Sequence, residues 1–319
     1  MHTSIPESGT PEMESKELQV VLGHLGADDS KNRRIFRVRG LRGAWTFTRQ
    51  KPLGAAGVLV IVVFCLVAAL ADVIAQSDPN DINPDALLQP PSRHAWFGTD
   101  NLGRDMYSRV VHGSRVALLI GFVAVGIATA GGTAIGLVSG FYGGKVDLVI
   151  QRFVDAILAF PVLVIALAVV TAVGPSLRNL VLAIAFIMMP GFSRVVRASV
   201  LSVKQNLYIE AARAVGQTTP RILLHHVLPN VTAPIIVVAT GAIGSAILAE
   251  ASLSFLGLGP PPPNATWGSM LAIEARFYIT TAWWLAVVPS TAITLAVLGF
   301  NLFGDALRDV WDPRLRGRR

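Results

Sequence analysis

The feature that most constrains this chain is a set of long uncharged runs. Residues 53–71, 116–144, 156–177, 227–249 and 277–304 contain no Asp, Glu, Lys or Arg. Each reaches or exceeds the roughly 18 apolar residues that a helix needs to cross about 30 Å of hydrocarbon. A sixth run, residues 179–193, is shorter and crosses only if its helix continues past Arg194 and Arg197. Strands of a membrane barrel would alternate apolar and polar residues, which these runs do not do. Only 15% of the chain is charged and 52% is hydrophobic, against about 25% charged in soluble domains. The expected fold is therefore an all-α membrane protein with six transmembrane helices.

Six spans place both termini on one side. Setting that side as the cytoplasm puts the basic N-terminal tail, Lys145, Arg152, Arg194, Arg197, Lys204, Arg213, Arg221 and the basic C-terminal tail inside. Only Arg93, Arg104, Arg109, Arg115, Arg178 and Arg276 remain outside. This positive-inside bias orients the chain with both termini cytoplasmic. The net charge of +7 is then a topology signal, and a nucleic-acid partner is not expected. Residues 1–44 are polar and charged, and are expected to be largely disordered, with a short amphipathic helix near residues 35–38. Residues 45–113 are expected to hold the first transmembrane helix and an extracytoplasmic loop. Residues 114–306 form the core bundle, with a cytoplasmic loop at 202–230, and residues 307–319 form a cytoplasmic tail. No cleavable signal peptide is expected, because the first apolar run begins only at Leu53 after a long polar tail.

Ala124, Ala128, Gly132, Gly136 and Gly140 recur every four residues and share one helical face. Small residues let a neighbouring helix approach closely, which matters in lipid, where apolar side chains gain little from leaving it. Gly241, Ser245 and Ala249 are expected to repeat the device in the fifth span. Plain bundle packing explains such stripes; a smooth surface for helix rocking is the functional alternative. Pro161 and Pro190 are expected kinks. Glu250 closes an apolar run, where an acid is costly in a membrane. It and Ser254 are candidates for a translocation path; the plainer reading is a solvated or interfacial Glu250, or one hydrogen-bonded to a neighbouring helix. Asp72, Asp155 and Asp305 lie near span ends and are expected at the interface.

Much chemistry is absent from the sequence. There is no phosphate-binding loop, no H-E-x-x-H and no G-x-S-x-G. His225 and His226 would point about 100° apart on a helix, so they cannot serve one metal. Cys65 is the single cysteine, which excludes a disulfide framework. No metal site, catalytic residue or cofactor is expected on the chain. The nearly charge-free spans are unlike those of a proton-driven carrier, and point to an energy source on another chain.

The segment 202–230 reads SVKQNLYIEAARAVGQTTPRILLHHVLPN. Val203, Leu207, Ala211, Ala214 and Val215 fall on one helical face, with Lys204, Gln205, Glu210, Arg213 and Gln217 as the polar remainder. Gly216 suits a helix end that needs a left-handed residue. Thr219 is expected to cap a second helix with Pro220 at its first position, and Pro229 to mark its return to the membrane. A short amphipathic helix-turn projecting from a membrane face is a docking element. The plainer reading of Glu210 is an i,i+3 pair with Arg213, contributing about 0.2–0.5 kcal/mol.

Glu210-Ala211-Ala212, Gly216 and Leu228-Pro229 resemble the EAA loop of permeases of ATP-binding-cassette importers, with His226 as in peptide-importer permeases. The run from Phe97 to Arg109 (Gly98-Thr99-Asp100, Leu102-Gly103-Arg104-Asp105, Ser108-Arg109) resembles the signature of dipeptide, oligopeptide and nickel permeases. Asp100, Arg104, Asp105 and Arg109 are expected to pair in an interfacial helix. Leu253-Ser254-Phe255-Leu256-Gly257-Leu258-Gly259, then Trp267-Gly268, resembles the family's outer loop. Asn301, Gly304-Asp305, Arg308-Asp309 and Asp312-Pro313 resemble its C-terminal end. The resemblance covers residues 45–317 and is strongest to the "C" member of the two-permease pair; the long N-terminal tail and the run Pro260 to Pro263 depart from it.

The resemblance implies a six-helix type I importer permease in a bacterial cytoplasmic membrane. It implies a second homologous permease, ATPase subunits carrying ATP and magnesium, and an extracytoplasmic binding protein, all assembled in the lipid bilayer. Tyr208, Ile209, Glu210, Ala211, Ala212, Arg213, Gly216, Thr219, Pro220 and Arg221 would couple to the ATPase. Asp100, Arg104, Asp105 and Trp267 would meet the binding protein. The expected cargo is a di- or oligopeptide, with nickel or another small solute as the alternative. A self-sufficient channel or carrier and a membrane scaffold are the competing classes.

Overall fold

A computed structural model describes residues 51–311. The expected tail features at residues 1–44, and residues 312–319 with Asp312 and Pro313, lie outside the described residues. All regular elements among the described residues are helical. They are α1 (Pro52–Ala69), α2 (Ala71–Ile74), α3 (Met106–Tyr142), α4 (Gly144–Leu158), α5 (Val162–Val173), α6 (Leu177–Val203), α7 (Leu207–Ala214), α8 (Thr219–Ile222), α9 (Leu228–Phe255), α10 (Trp267–Met270), α11 (Arg276–Tyr278) and α12 (Trp284–Trp311). A π-helical turn, Leu223–Val227, joins α8 to α9 without a break. Five helices are long and apolar enough to cross a membrane: α1, α3, α6, the continuous Thr219–Phe255 and α12. Their alternation gives the bundle two ends. One carries α7 and is called here the helix-turn face. The other carries residues 75–105 and 256–283 and is called the loop face.

The third span departs from expectation. Instead of one helix over residues 156–177, α4 and α5 meet at a bend of 89°. Pro161 precedes α5, where its missing N–H and fixed φ end one helix and start the next. Gly174, at φ 88°, ends α5 after 12 residues, about 18 Å of helix. The shorter fourth run does continue: α6 extends past Arg194 and Arg197 to Val203. Both arginines are paired with α4, Arg197 to Asp147 at 2.5 Å and Arg194 to Asp155 at 2.5 Å.

The small-residue stripe of α3 packs against α6. A Cβ on Gly132 would lie 2.5 Å from the Phe192 Cβ, and one on Gly136 would lie 2.6 Å from the Ser193 carbonyl. The second stripe is only partly right. Gly241 meets Gly304 of α12, whose added Cβ would lie 3.1 Å from the Gly241 nitrogen, but Ser245 is exposed. Gly244, one position away from the expected stripe's line, makes the close approach to the Val297 carbonyl at 3.3 Å. The 28-residue α9 buries the face its neighbours dictate, and small residues on other faces are left in the open.

At the loop face, the signature segment forms a turn rather than an interfacial helix. Gly98 and Gly103 adopt φ of 76° and 77°, letting the chain reverse so that Thr99 bridges Asp105. Asp100 accepts hydrogen bonds from the Leu102 and Arg104 amides at 2.8 and 2.9 Å and from Arg104 Nε at 2.6 Å. Arg109 approaches Asp100 at 3.6 Å from inside α3. Asp105 caps α3 by accepting from the Ser108 amide at 2.8 Å. The second span thus begins at Met106, well before residue 114. Arg115 closes the end of α1: its Nε donates to the Ala68 carbonyl at 2.6 Å and its two terminal nitrogens to Asp72 at 2.8 and 2.9 Å. Hydrogen bonds from Arg115, then from His112, hold the Asp72 carboxyl below the usual carboxylate range. These pairings account for three of the six basic residues that broke the positive-inside pattern, Arg104, Arg109 and Arg115.

Candidate functional site

The helix-turn face is built on a small apolar core separate from that of the bundle. Ile209 and Ala212 of α7 bury against Leu137 and Phe141 of α3, Val196 and Val200 of α6, and Ile222, Val227 and Val231 beyond the turn. The polar partners sit around this seat. Lys204 Nζ donates to the Phe141 carbonyl at 2.5 Å, and the Arg213 guanidinium lies 5.2 Å from the Phe141 ring centroid. His226 Nε2 and Gln217 Oε1 are 2.9 Å apart across the turn.

The turn itself is locally encoded. Gly216 adopts φ 80°, the left-handed region where a Cβ is disfavoured. Its amide donates to the Arg213 carbonyl at 2.9 Å and the Gln217 amide donates to Ala212 at 3.1 Å. These two bonds form the Schellman motif that closes helix ends. The cap of α8 differs from expectation by one residue. Thr218 occupies the cap with no side-chain hydrogen bond, so Thr219 and Pro220 take the first two helical positions.

The amphipathic face of α7 points the other way from a simple core-facing helix. Leu207 is 81% exposed and Val215 75%, and Ala211 and Ala214 are exposed beside them; only Val203 is partly packed. Burial is carried instead by Ile209 and Ala212, so two apolar surfaces compete and the seat takes the narrower one. Tyr208, Glu210, Arg213, Pro220 and Arg221 are also exposed, and Thr219 is half-buried. Among the described residues Glu210 makes no ion pair; Arg213, its expected partner, stacks on Phe141. A seated helix whose outer surface combines apolar side chains with one free carboxylate is suited to insertion into a partner's groove.

The pathway candidates are arranged differently. Glu250 is 1% exposed and accepts from the Ser254 hydroxyl at 2.6 Å. The loop after α9 seals it. A Cβ on Gly259 would lie 2.3 Å from Ser254 Oγ, and one on Gly268 would lie 2.4 Å from the Ala251 carbonyl. Glu250 therefore lines no open path in this chain. It also does not sit at an interface with water. Ser254 reaches the floor of a 320 Å³ cavity shared with Arg104, Arg109 and Ser269.

The expected binding-protein contacts are corrected as well. Asp100 is fully buried, and Trp267 is 1% exposed with its Nε1 donating to the Val110 carbonyl at 2.9 Å. Arg104 and Asp105 are turned inward by their bonds to Asp100 and Ser108. A dense set of charges in a loop next to a span reads as a contact surface in sequence, whereas here it is consumed in ordering the loop. Among the described residues, no three His, Cys, Asp or Glu side chains gather closely enough to hold a metal.

The α4 network is not legible in the sequence. Asp147 accepts from Ser139 of α3 and from Arg197 Nε at 2.6 Å, and Gln151 donates to Ser139 at 2.9 Å. The available signal was an acid at 147 and a base at 197, fifty residues apart, which no local spacing rule connects.

Residues 132–317 match the family described as the binding-protein-dependent transport system inner membrane component. The chain belongs to that family. Residues 41–91 of this permease also match the N-terminal transmembrane domain of oligopeptide transport permease C. The permease is 44% identical over 275 residues to the dipeptide transport system permease protein DppC of Alkalihalophilus pseudofirmus, covering 86% of this chain and 90% of the relative. It is 44% identical to the di/tripeptide transport system permease protein DppC of Pseudomonas aeruginosa, covering 86% and 93%. Its fold is shared with the inward-facing MetNI methionine ABC transporter, at TM-score 0.50 and 18% identity over 66% of this chain and 96% of that one. The permease is a multi-pass transport subunit, and both α7 and the small core beneath it lie inside the matched region.

Proposed function

We propose that this permease is one of two membrane subunits of an ATP-driven peptide importer of a bacterial cytoplasmic membrane. Its helix-turn face and both termini are cytoplasmic, and its loop face is external. A second homologous permease completes the translocation path, a binding protein delivers peptide to the loop face, and ATPase subunits carrying ATP and magnesium dock on α7. The permease contributes no cofactor or catalytic residue of its own. The observation that carries this reading is the outward apolar surface of α7, anchored from beneath by Ile209 and Ala212.

Coupling then has a physical route. Leu207, Tyr208, Ala211 and Val215 supply the apolar contact, and Glu210 the charge that fixes register in the ATPase groove. Closure of the ATPases on ATP displaces α7, and Arg213 and Ile209 carry the displacement to α3, α6 and α9 through the seat. A bundle with two packings responds to such a bias as a population shift. Peptide as cargo is supported by the dipeptide and di/tripeptide names of the relatives.

The test is purification of the permease from its native membrane with its partners counted, followed by uptake of a labelled dipeptide by the reconstituted complex. A second permease with ATPase subunits, and uptake lost on Leu207→Asp with insertion preserved, supports the reading. Uptake by the permease alone in liposomes overturns it.

A further inference from the structure

Glu250 is a buried acid that the coupling route through α7 does not use. It lies in α9, one turn before Ser254, and is 1% exposed. An acid inside a membrane helix is costly and persists where partners or a function compensate it. Here two hydroxyls converge on it. Ser254 of the same helix donates to Oε1 at 2.6 Å. The Thr266 hydroxyl, from the far side of the outer loop, hydrogen-bonds the same carboxyl. A carboxyl has oxygens enough to accept from both. A leucine in its place would fill the space and leave both hydroxyls without this acceptor.

The Thr266 side chain, itself 1% exposed, passes the connection on. Its oxygen also accepts from the Ser269 amide at 3.2 Å, which caps α10. The next residue, Trp267, donates from Nε1 to the Val110 carbonyl of α3 at 2.9 Å. Its ring stands edge-on to Phe64 of α1, with centroids 5.6 Å apart. One carboxyl of α9 is thereby joined to the start of α10, and through Trp267 to α3 and α1.

The loop between Ser254 and Thr266 is folded back on its own ends. α9 closes in a Schellman turn, with the Gly257 amide donating to the Ser254 carbonyl at 3.0 Å and the Leu258 amide to Leu253 at 2.9 Å. Gly259 then passes against Ser254, leaving no room for a side chain. Pro260 is buried, whereas Leu256, Gly257 and residues 261–264 form an exposed crest. Both ends of that crest are tied at Glu250, one through Ser254 and the other through Thr266.

We infer, on the reading that a binding protein delivers peptide to the loop face, that Glu250 is a positioning residue for delivery. Its carboxyl holds the 256–266 loop in the shape that the loop face presents to the binding protein, and touches neither that protein nor the peptide. A loop already held in one shape loses less freedom on association than one that must be ordered first. Loss of the anchor therefore raises the concentration of binding protein needed and leaves coupling at α7 intact.

The experiment is ATP hydrolysis by the complete importer in proteoliposomes, titrated with its binding protein loaded with dialanine. The permease is wild type, Glu250→Gln, Glu250→Leu or Thr266→Val. Gln keeps an oxygen acceptor at the same place, whereas Leu keeps none. Thr266→Val leaves the carboxyl in place and removes one donor, so it tests the anchor even where Glu250→Leu does not assemble. The expected result is a KM for binding protein raised about five-fold or more in Glu250→Leu, and raised in Thr266→Val, with Glu250→Gln within about two-fold of wild type. The kcat and the basal rate without binding protein stay unchanged. Equal KM values throughout, a fall in kcat with KM unchanged, or a Glu250→Gln as impaired as Glu250→Leu overturns the inference and leaves the delivery reading standing. A wild-type importer whose hydrolysis does not respond to binding protein overturns both.

Discussion

The Arg213 guanidinium of α7 lies 5.2 Å from the centroid of the Phe141 ring at the end of α3. Phe141 is itself 6% exposed, and its carbonyl accepts from Lys204. One residue thus receives the short helix through its ring and the end of α6 through its backbone. Removal of a buried aromatic typically costs about 3–5 kcal/mol, and an exposed cation–π contact contributes about 0.5–1 kcal/mol. Phe141→Ala is expected to lower substrate-stimulated ATPase activity of the assembled importer at least several-fold, with Phe141→Leu intermediate. Arg213→Lys should fall between wild type and Phe141→Leu, since an ammonium keeps the cation–π attraction but not the stacking of a planar guanidinium. Steady-state ATPase assays with and without peptide check this ordering.

Gly216 separates conformational strain from steric conflict. Its φ of 80° disfavours side chains, yet nothing lies within 4 Å of an added Cβ. A non-glycine residue there pays only the left-handed penalty, about 1–2 kcal/mol, and Asn pays less because its side chain bonds locally. Uptake should rank Gly216 above Gly216→Asn, then Gly216→Ala, then Gly216→Val, with the same order in resistance of residues 213–219 to proteolysis. A flat series would remove the Schellman turn from the coupling account.

The α3 and α6 interface offers the opposite case. At Gly136 an added Cβ meets backbone at 2.6 Å, whereas at Gly126 nothing lies within 4 Å. Overpacking of a tight contact costs about 1–3 kcal/mol. Gly136→Ala is expected to lower the melting temperature in detergent by several degrees, and Gly126→Ala to leave it unchanged. Thermal unfolding followed by intrinsic fluorescence distinguishes the two.

The Asp72 and Arg115 clasp has a defined acid response. The folded carboxyl titrates below its usual value near 3.8 because Arg115, then His112, donates to it. A lowered folded value means the clasp contributes fully above the ordinary carboxylate range, and its contribution is lost as pH falls through the lowered value. Between pH 5 and 8 the attachment of α1 to α3 should therefore be independent of the Asp72 charge. Below pH 4 it should weaken, and Asp72→Asn should abolish that acid-dependent part while weakening attachment throughout. Cross-linking of cysteines placed at Val67 and Val111 measures it.

Local rules governed much of what could be read in advance. Uncharged runs specify spans because hydrocarbon leaves no alternative for an uncompensated backbone, and α1, α3, α6, α9 and α12 follow. Gly216 and Pro161 act through their own dihedral limits, so the turn and the break occur where those residues stand, with α4 and α5 meeting at 89° beside Pro161. The outward surface of α7 was legible as an apolar face but not as an outward one. Which of two apolar stripes is buried depends on Leu137, Phe141, Val196 and Val200, residues far away in the chain. The same holds for Asp147 with Arg197 and for the enclosure of Glu250, where partners are brought together only by helix packing. Sequence alone therefore determined five of the spans, the turn and the family, because each depends on a stretch of chain and its solvent. Tertiary structure decided which polar groups are consumed internally and which faces remain for partners, because burial is a property of neighbours and not of the residue itself.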